Sequence, residues 1–180
     1  MEKDQEIIEL VLNHKIEQGF KLLVSTYHQK VYWQVRRMVL IHEDADDVTQ
    51  NIFIKIFQHL NTFRNEAKLS SWIFRITYNE ALNFIQKRAK EIHCSSDDYA
   101  KEVVDHLEDD QYYTGDEIDL KLQKAIASLP EKQRVIFMMK YYDELKYEEI
   151  SSILDTSVGA LKASYHHAVK KIEQFIKLSD

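Results

Sequence analysis

The sequence predicts an all-α protein in which two small helical domains are joined by a flexible acidic linker. Three of its 180 residues are glycine and one, Pro130, is proline, whereas strand-rich folds need many turns built from these residues. Net charge divides the chain, because residues 15–92 carry +4, residues 93–120 carry −9 and residues 121–180 carry +2. We therefore expect domains at residues 1–92 and 120–180 with a linker at 93–119, and only the two basic blocks suit nucleic acid.

The single cysteine, Cys94, excludes an internal disulfide and any multi-cysteine zinc site. His93 and Cys94 together supply two of the four ligands of a structural zinc site, so we expect no metal and no other cofactor. No apolar run approaches the roughly 18 residues of a spanning helix, and the first residues do not resemble a signal peptide. We expect a cytoplasmic protein without direct membrane insertion.

Apolar residues at helical spacing predict four helices in the first domain. They are expected at residues 5–16, 18–41, 44–60 and 72–90. Asp44, Asp46 and Asp47 fall at the start of the third helix, where the helix dipole favours acids. Residues 61–71 are predicted to form a polar loop, in which Ser70 or Ser71 caps the fourth helix.

One side of the third helix combines an apolar residue with polar ones. Ile54 lies off the apolar stripe, on the side that carries Asp47, Gln50 and Asn51. Such a mixture can form a patch for a protein partner. The pattern alone favours the alternative, a solvated face with one stray isoleucine.

The fourth helix carries a ladder of donors. Arg75, Asn79, Asn83, Gln86 and Lys90 recur at spacings of three or four, and such side chains can donate to phosphates and base edges. The ladder is interleaved with aromatics that suit stacking on unpaired bases, namely Trp72, Phe74, Tyr78 and Phe84. The alternative is that these aromatics belong to the core and the ladder is only solvated.

The helical pattern is lost between residues 92 and 120, apart from a short turn expected around residues 103–107. Apolar residues then predict one helix near 120–129 and another over 131–142, with Pro130 at the first turn of the latter. Residues 147–154 are expected to form a further helix, and 155–157 a tight turn in which Ser157 is a cap. A last helix follows from Val158. This is the layout of a helix-turn-helix.

The last helix has one apolar stripe and one polar, basic face. The stripe recurs at three or four residues: Val158, Leu161, Tyr165, Ala168, Ile172 and Phe175. The opposite face carries Ala160, Lys162, Ala163, His166, His167, Lys170 and Lys171. Small and basic residues let a helix approach DNA closely, although a generic amphipathic helix has a similar pattern.

Two segments together resemble a known family. The pairing of DADDVTQNIFIKIF and FRNEAKLSSWIFRITYNEALNFIQKR with LPEKQRVIFMMKYYDELKYEEISSIL and VGALKASYHHAVKKI is similar to the extracytoplasmic-function sigma factors of bacteria. The resemblance covers about residues 16–90 and 120–177, with the motifs in the family's order. It implies a sigma region-two-like helical bundle followed by a region-four-like helix-turn-helix domain.

The resemblance also implies partners and contact residues. The first domain would bind the clamp of core RNA polymerase through Asp47, Gln50, Asn51 and Ile54. It would open the −10 element and hold melted DNA with Phe63, Arg64, Asn65, Lys68, Trp72, Arg75, Asn79, Asn83, Lys87 and Arg88. The second would bind the polymerase flap and the double-stranded −35 element, the latter with Lys140, Ala160, Lys162, Ala163, Ser164, His166, His167 and Lys170. An anti-sigma factor is a further implied partner, and no small-molecule substrate is.

The chain departs from the family pattern at several positions of the second domain. Lys146 stands where a capping serine is usual, which should cost about 1 kcal/mol. Glu144 stands where a turn glycine is usual. Ser164, His167 and Val169 stand where the family carries arginine, so we expect weak −35 binding by this domain alone.

Two other functions fit parts of the sequence. A stand-alone helix-turn-helix regulator explains residues 120–180 but leaves the helices at 44–60 and 72–90 without a role. A sigma-like helical adaptor would bind protein and not DNA. The sequence contains no recognisable constellation of nucleophile, base or metal ligands, so we do not expect an enzyme.

Overall fold

The computed structural model describes residues 2–105 and 117–178, and all regular secondary structure in them is helical. The expected all-α class is therefore confirmed. The helices are α1 (Glu2–Leu12), α2 (Ile16–Val39), α3 (His42–Leu60), α4 (Leu69–Glu91), α5 (Ser96–Asp105), α6 (Glu117–Ala127), α7 (Glu131–Tyr141), α8 (Tyr147–Leu154) and α9 (Val158–Leu178). The chain forms two compact units, Met1–Asn83 and Phe84–Asp180.

In the N-terminal unit, α2 packs against both α1 and α3. The unit's core is built from fully buried aliphatic side chains of all four helices: Ile7, Leu23, Val31, Val35, Ile52, Ile56 and Ile73. Gly19 allows α1 to approach α2 closely, because a Cβ at this position would lie 3.1 Å from Val11 Cγ2. The Tyr27 hydroxyl donates to the Asp4 carboxylate over 2.7 Å, and burial together with Asp4 raises the pKa of the Tyr27 phenol.

The first two helices end earlier than predicted because of local backbone turns. α1 ends at Leu12, where His14 has a φ of 61° and the Lys15 N–H donates to the Leu10 carbonyl over 2.8 Å. α2 ends at Val39, where Leu40 has a φ of 70°. The buried guanidinium of Arg36 donates to the Leu40 carbonyl and so satisfies this helix end.

The fourth helix begins earlier than predicted, at Leu69. Ser70 and Ser71 lie inside its first turn, and the Trp72 N–H donates to the Lys68 carbonyl over 3.1 Å. The prediction that one of these serines caps the helix is therefore wrong. The helix ends at Glu91, because His93 has a φ of 57° and the Cys94 N–H donates to the Ala89 carbonyl over 2.9 Å. His93 and Cys94 thus form the turn that terminates α4.

The expected loss of helical pattern over residues 92–120 is wrong for α5. Four residues spaced one, three and one apart are buried in this helix, and α5 packs against α6: Tyr99, Ala100, Val103 and Val104. Its start is capped by Ser95, whose Oγ accepts a hydrogen bond from the Asp98 N–H over 3.1 Å. The turn predicted at 103–107 falls partly on the end of α5, while residues 106 and 107 lie outside the described part of the chain.

In the C-terminal unit, α9 packs against α6, α7 and α8. Pro130 precedes α7 as its N-cap and lies outside its first turn, with a ψ of 143°. Arg134, on the first turns of α7, is 3% exposed. Its Nη1 donates to the carbonyls of Ala127 and Leu129 over 3.2 and 3.4 Å, and so satisfies the end of α6.

Candidate nucleic-acid and partner surfaces

The C-terminal unit contains the predicted helix-turn-helix, made of α8, residues 155–157 and α9. Asp155 ends α8 with a φ of 51°, and Ser157 Oγ accepts from the Ala160 N–H over 3.3 Å. The predicted Ser157 cap is confirmed. Glu149 accepts from the Lys146 N–H over 3.0 Å, which is one half of a capping box. The other half is missing, because a lysine ammonium has no lone pair with which to accept a hydrogen bond.

The polar face of α9 lies in solvent. Most of the residues predicted to contact the −35 element are exposed: Ala160, Lys162, Ala163, His166, His167 and Lys170. Ser164 is half-buried. The opposite stripe faces the core, where Leu161, Ala168 and Ile172 are buried. The face is therefore accessible along most of its length, as binding in a groove requires.

Lys140 is half-buried and already has partners within the protein. Its Nζ donates to the Leu145 carbonyl over 3.0 Å and lies 5.2 Å from the ring centroid of Tyr147. The Nζ of Lys162 lies 5.7 Å from the same centroid. One lysine of α7 and one of α9 are thus brought to one aromatic ring of α8, a relationship that the sequence pattern did not reveal.

The predicted donor ladder lies along α4. Arg75, Asn79, Asn83, Lys87 and Arg88 are all exposed, as are Gln86 and Lys90. The four aromatic residues of α4 were predicted either to stack on unpaired bases or to belong to the core, and they differ in their burial. Phe74 and Tyr78 are 1% exposed and belong to the core, whereas Trp72 and Phe84 are half-buried. The ladder is therefore accessible, but only part of the aromatic set could stack on a base.

The loop between α3 and α4 presents three of its four predicted DNA-contacting residues. Arg64, Asn65 and Lys68 are exposed, and Asn65 has a φ of 57°, which asparagine tolerates better than most residues. Phe63 is 6% exposed and packs on Trp72, with 5.4 Å between ring centroids. In this conformation the buried ring of Phe63 packs under the loop, against Trp72, and is not accessible to a base.

The predicted clamp-contacting residues lie together on α3. Asp47, Gln50, Asn51 and Ile54 are all exposed, and 54% of Ile54 is accessible to solvent. Gln50 and Ile54 also line an apolar groove of about 640 Å³ between α2 and α3. Its other walls are Phe20, Val24, His28, Phe53, Phe57 and Gln58. Ile54 is thus not a stray residue but one edge of a larger apolar surface.

The sequence pattern did not single out the α2 side of this groove. Phe20 of α2 packs edge-on against the half-exposed Phe57, with 4.9 Å between ring centroids. Only the crossing of two helices shows that these side chains share one open surface.

Within residues 2–105 and 117–178, no group of three or more His, Cys, Asp or Glu side chains is arranged to hold a metal ion. None of the helices described is long and apolar enough to cross a membrane.

Two family models match the chain, and their matches lie in the two regions described above. The Sigma-70 region 2 model matches residues 23–91, and the Sigma-70, region 4 model matches residues 119–172. The region 2 match contains α3, the loop after it and α4. The region 4 match contains α7, α8 and most of α9.

Curated relatives match along nearly their whole length. The chain is 25% identical to the ECF RNA polymerase sigma factor SigW of Bacillus subtilis, with 94% of this chain and 99% of the relative covered. It is 28% identical to the RNA polymerase sigma-H factor of Pseudomonas aeruginosa, with coverage of 98% and 95%. It is 29% identical to the ECF RNA polymerase sigma-E factor of Escherichia coli K12, with 96% of each chain covered.

Solved structures share the fold. CnrH, in its complex with the cytosolic domain of CnrY, has a TM-score of 0.72 at 16% identity, with 99% of each chain covered. The sigma factor RpoE of Bartonella quintana, in its complex with the anti-sigma factor NepR, has a TM-score of 0.69 at 19% identity, with 91% of this chain and 99% of that chain covered.

Both sigma-70 regions are present, in order, and together they span more than half of the chain, so the chain belongs to the sigma-70 family. Within that family it is an extracytoplasmic-function sigma factor, as its full-length relatives are. The resemblance inferred from the residues is confirmed. A stand-alone helix-turn-helix regulator is not favoured, because region 2 would then have no function.

Proposed function

We propose that this sigma factor binds core RNA polymerase through α3 and directs initiation by holding the −10 element with α4 and the −35 element with α9. The observation that carries the proposal is the position of the exposed polar faces. The exposed face of α4 falls within the Sigma-70 region 2 match and that of α9 within the region 4 match, and this supports the proposal. The polymerase would carry out the chemistry, and this chain would select where transcription begins.

Core binding is assigned to the clamp patch, by which we mean Asp47, Gln50, Asn51 and Ile54. An interface centre is commonly apolar with a polar rim. Ile54 and the adjoining groove supply the apolar part, and Asp47, Gln50 and Asn51 supply the rim. Binding to core polymerase at this patch would explain why the large apolar side chain of Ile54 is exposed to solvent.

Recognition of the −10 element is assigned to the loop after α3 and to the exposed ladder of α4. Arg64, Asn65 and Lys68 would meet the melted strand, with Trp72 beside them. Arg75, Asn79, Asn83, Lys87 and Arg88 would follow the strand along the helix. Contacts to unpaired bases offset part of the cost of melting. Phe63 is kept only as the support of this loop, because its ring is buried.

Recognition of the −35 element is assigned to the exposed face of α9 and to Lys140. Lys162 and Lys170 supply positive charge, and His166 and His167 lie on the same exposed face. Ala160 and Ala163 are small enough to let the helix approach the groove, and Ser164 lies at the edge of the face. Because both DNA-binding ends belong to one chain on one polymerase, binding of the second element becomes intramolecular.

The domain limits and the remaining partners follow from the same assignment. We place the core-binding and −10 domain at residues 1–92, around the region 2 match at 23–91, and the −35 domain at 120–180, which overlaps all but the first residue of the region 4 match at 119–172. We place the protein in the cytoplasm, where its polymerase works. An anti-sigma factor is a proposed partner, since relatives of the same fold were solved in complexes with one.

Transcription in a purified system tests the proposal. Core RNA polymerase with and without this protein is incubated with fragments of the source genome, and transcript 5′ ends are mapped. We expect new start sites with a shared upstream sequence only when both components are present. Loss of these starts when the −35 sequence is scrambled would support recognition by α9. An absence of protein-dependent starts would instead favour a helical adaptor that binds protein and not DNA.

A further inference from the structure

The ring of Tyr147 lies close to two lysines that come from different helices. It is the first residue of α8, and its ring centroid lies 5.2 Å from Lys140 Nζ of α7 and 5.7 Å from Lys162 Nζ of α9. Both distances fall within the roughly 6 Å over which an ammonium is attracted to an aromatic ring. One ring therefore lies near both the α7 lysine predicted to bind the −35 element and a lysine of α9.

We propose that Tyr147 is a positioning residue that holds Lys140 and Lys162 as a pair for the backbone of the −35 DNA. The proposal rests on the proposed function, because it needs α9 to lie on DNA. It assigns Tyr147, which was in neither the predicted core nor the predicted contact set, to a specific step of promoter binding.

The position of each lysine is fixed by more than the ring. Lys140 donates one hydrogen bond to the Leu145 carbonyl over 3.0 Å, and an ammonium has three donors, so two remain for a phosphate. Lys162 is exposed on the face that would meet DNA. The ring thus attracts the ammonium groups of both side chains without using up their hydrogen-bond donors.

The ring itself is held by an aromatic cluster. Tyr165 of α9 packs edge-on against Tyr147, with 6.4 Å between centroids, and is stacked on Phe137 of α7 at 5.8 Å. Burial raises the pKa of the Tyr165 phenol, which accords with its place inside this cluster. Tyr147 is therefore oriented by Tyr165 of α9, which is itself stacked on Phe137 of α7.

Positioning matters because a lysine side chain loses much conformational freedom when it binds. Lysine is flexible and strongly hydrated, and immobilising such a chain weakens binding. A lysine that already lies on a ring loses less freedom at a phosphate. Two ammonium groups also repel each other, and the attraction of both to one aromatic ring reduces the cost of keeping them at one site.

The ring contact is tested first without DNA, by NMR on the full chain. Ring currents from Tyr147 should shift the ε-methylene protons of Lys140 and Lys162 upfield. We expect these shifts to persist in Tyr147→Phe, which keeps the ring, and to vanish in Tyr147→Leu, which removes it. Shifts of both lysines that are the same in Tyr147→Leu as in the parent would overturn the proposal.

DNA binding is then measured with holoenzyme and a duplex spanning the upstream element of a promoter mapped as above. We expect Tyr147→Leu to weaken binding about fivefold, which corresponds to about 1 kcal/mol, and Tyr147→Phe to bind like the parent. In a Lys140→Ala, Lys162→Ala background the leucine substitution should have almost no further effect. Equal losses in the two backgrounds would show that Tyr147 acts only through the fold, and would overturn the proposal.

The two failures can be told apart. If parent holoenzyme does not bind the duplex, the proposed function fails, and the NMR shifts still decide whether Tyr147 holds the lysines. If the parent binds and Tyr147→Leu binds equally well, the proposed function stands and the positioning role of Tyr147 is overturned.

Discussion

The guanidinium of Arg134 donates to the carbonyl oxygen of Ala127 over 3.2 Å, and this hydrogen bond satisfies a carbonyl at the C-terminal end of α6. Arg134 also lies 3.8 Å from a carboxylate oxygen of Asp97 in α5. Burial lowers its pKa, and Asp97 and Glu131 oppose that change. One side chain thus joins α5, α6 and α7 in the C-terminal unit.

Arg134→Ala should lower the free energy of unfolding of the C-terminal unit by about 2–3 kcal/mol, because it leaves buried carbonyls without a partner. Both tryptophans, Trp33 and Trp72, belong to the N-terminal unit. Urea unfolding followed by circular dichroism should therefore show an earlier transition, while the tryptophan fluorescence transition stays in place. A loss seen only in the fluorescence would contradict this assignment.

The matched control is Asp97→Asn. Its ion pair with Arg134 is long, and 41% of the Asp97 side chain is exposed. Partly exposed pairs contribute little, so we expect a change below about 0.5 kcal/mol. A loss as large as that of Arg134→Ala would mean that the ion pair, and not the bonds to the α6 carbonyls, holds this site together.

Glu144→Gly should stabilise the C-terminal unit by about 1 kcal/mol, because Glu144 has a φ of 54°, a conformation that costs an L-residue energy and glycine little. Asp155 has a φ of 51°, and Asp155→Gly should raise the free energy of unfolding by less, because aspartate tolerates this region better than glutamate does. Thermal unfolding by circular dichroism measures both. A lower midpoint for Glu144→Gly would show that the glutamate side chain makes a contact that outweighs the strain.

Gly19→Leu should destabilise the N-terminal unit, because even a Cβ at this position meets Val11 Cγ2 at 3.1 Å. The control is Gly159→Ala in α9, where a Cβ meets nothing within 4 Å. In Gly159→Ala only the helix propensity changes, so we expect the free energy of unfolding to rise by up to about 1 kcal/mol. Tryptophan fluorescence in urea reports the first change. An unshifted fluorescence midpoint for Gly19→Leu would mean that α1 adjusts its position on α2 without loss.

The sequence allowed the helix-turn-helix and the exposed ladder to be predicted well, because each depends on spacing along one helix. It concealed α5, because acids surround the buried Tyr99 and Val103 and mask the apolar spacing. It gave no sign that Arg134 is buried, since arginine is almost always exposed. The α2–α3 groove and the Tyr147 contacts arise only when separate helices meet, so no single pattern carries them.

Lys162→Ala should weaken binding of holoenzyme to its −35 duplex and lower the slope of log K against log salt by about 1, as expected for the loss of one phosphate contact. Lys177→Ala, an exposed lysine near the end of the same helix and outside the predicted contacts, should leave the slope unchanged. A titration with potassium chloride measures both. An unaltered slope for Lys162→Ala would remove Lys162 from the −35 surface.

The clamp patch is tested by combining Asp47→Ala, Gln50→Ala and Ile54→Ser. All three side chains are exposed, so helicity should be preserved while affinity for core polymerase falls by at least about tenfold, or about 1.4 kcal/mol. His59→Ala, an exposed residue of α3 outside the patch and the groove, should bind core like the parent. Equal affinity for all variants would place the core-binding surface elsewhere.

The most direct measurement is the mass of the species formed when this protein is mixed with purified core RNA polymerase. We predict a complex of one copy of the chain with one core enzyme at sub-micromolar concentrations, and its loss when the clamp patch is substituted. A parent protein that forms no such complex at these concentrations would contradict the account.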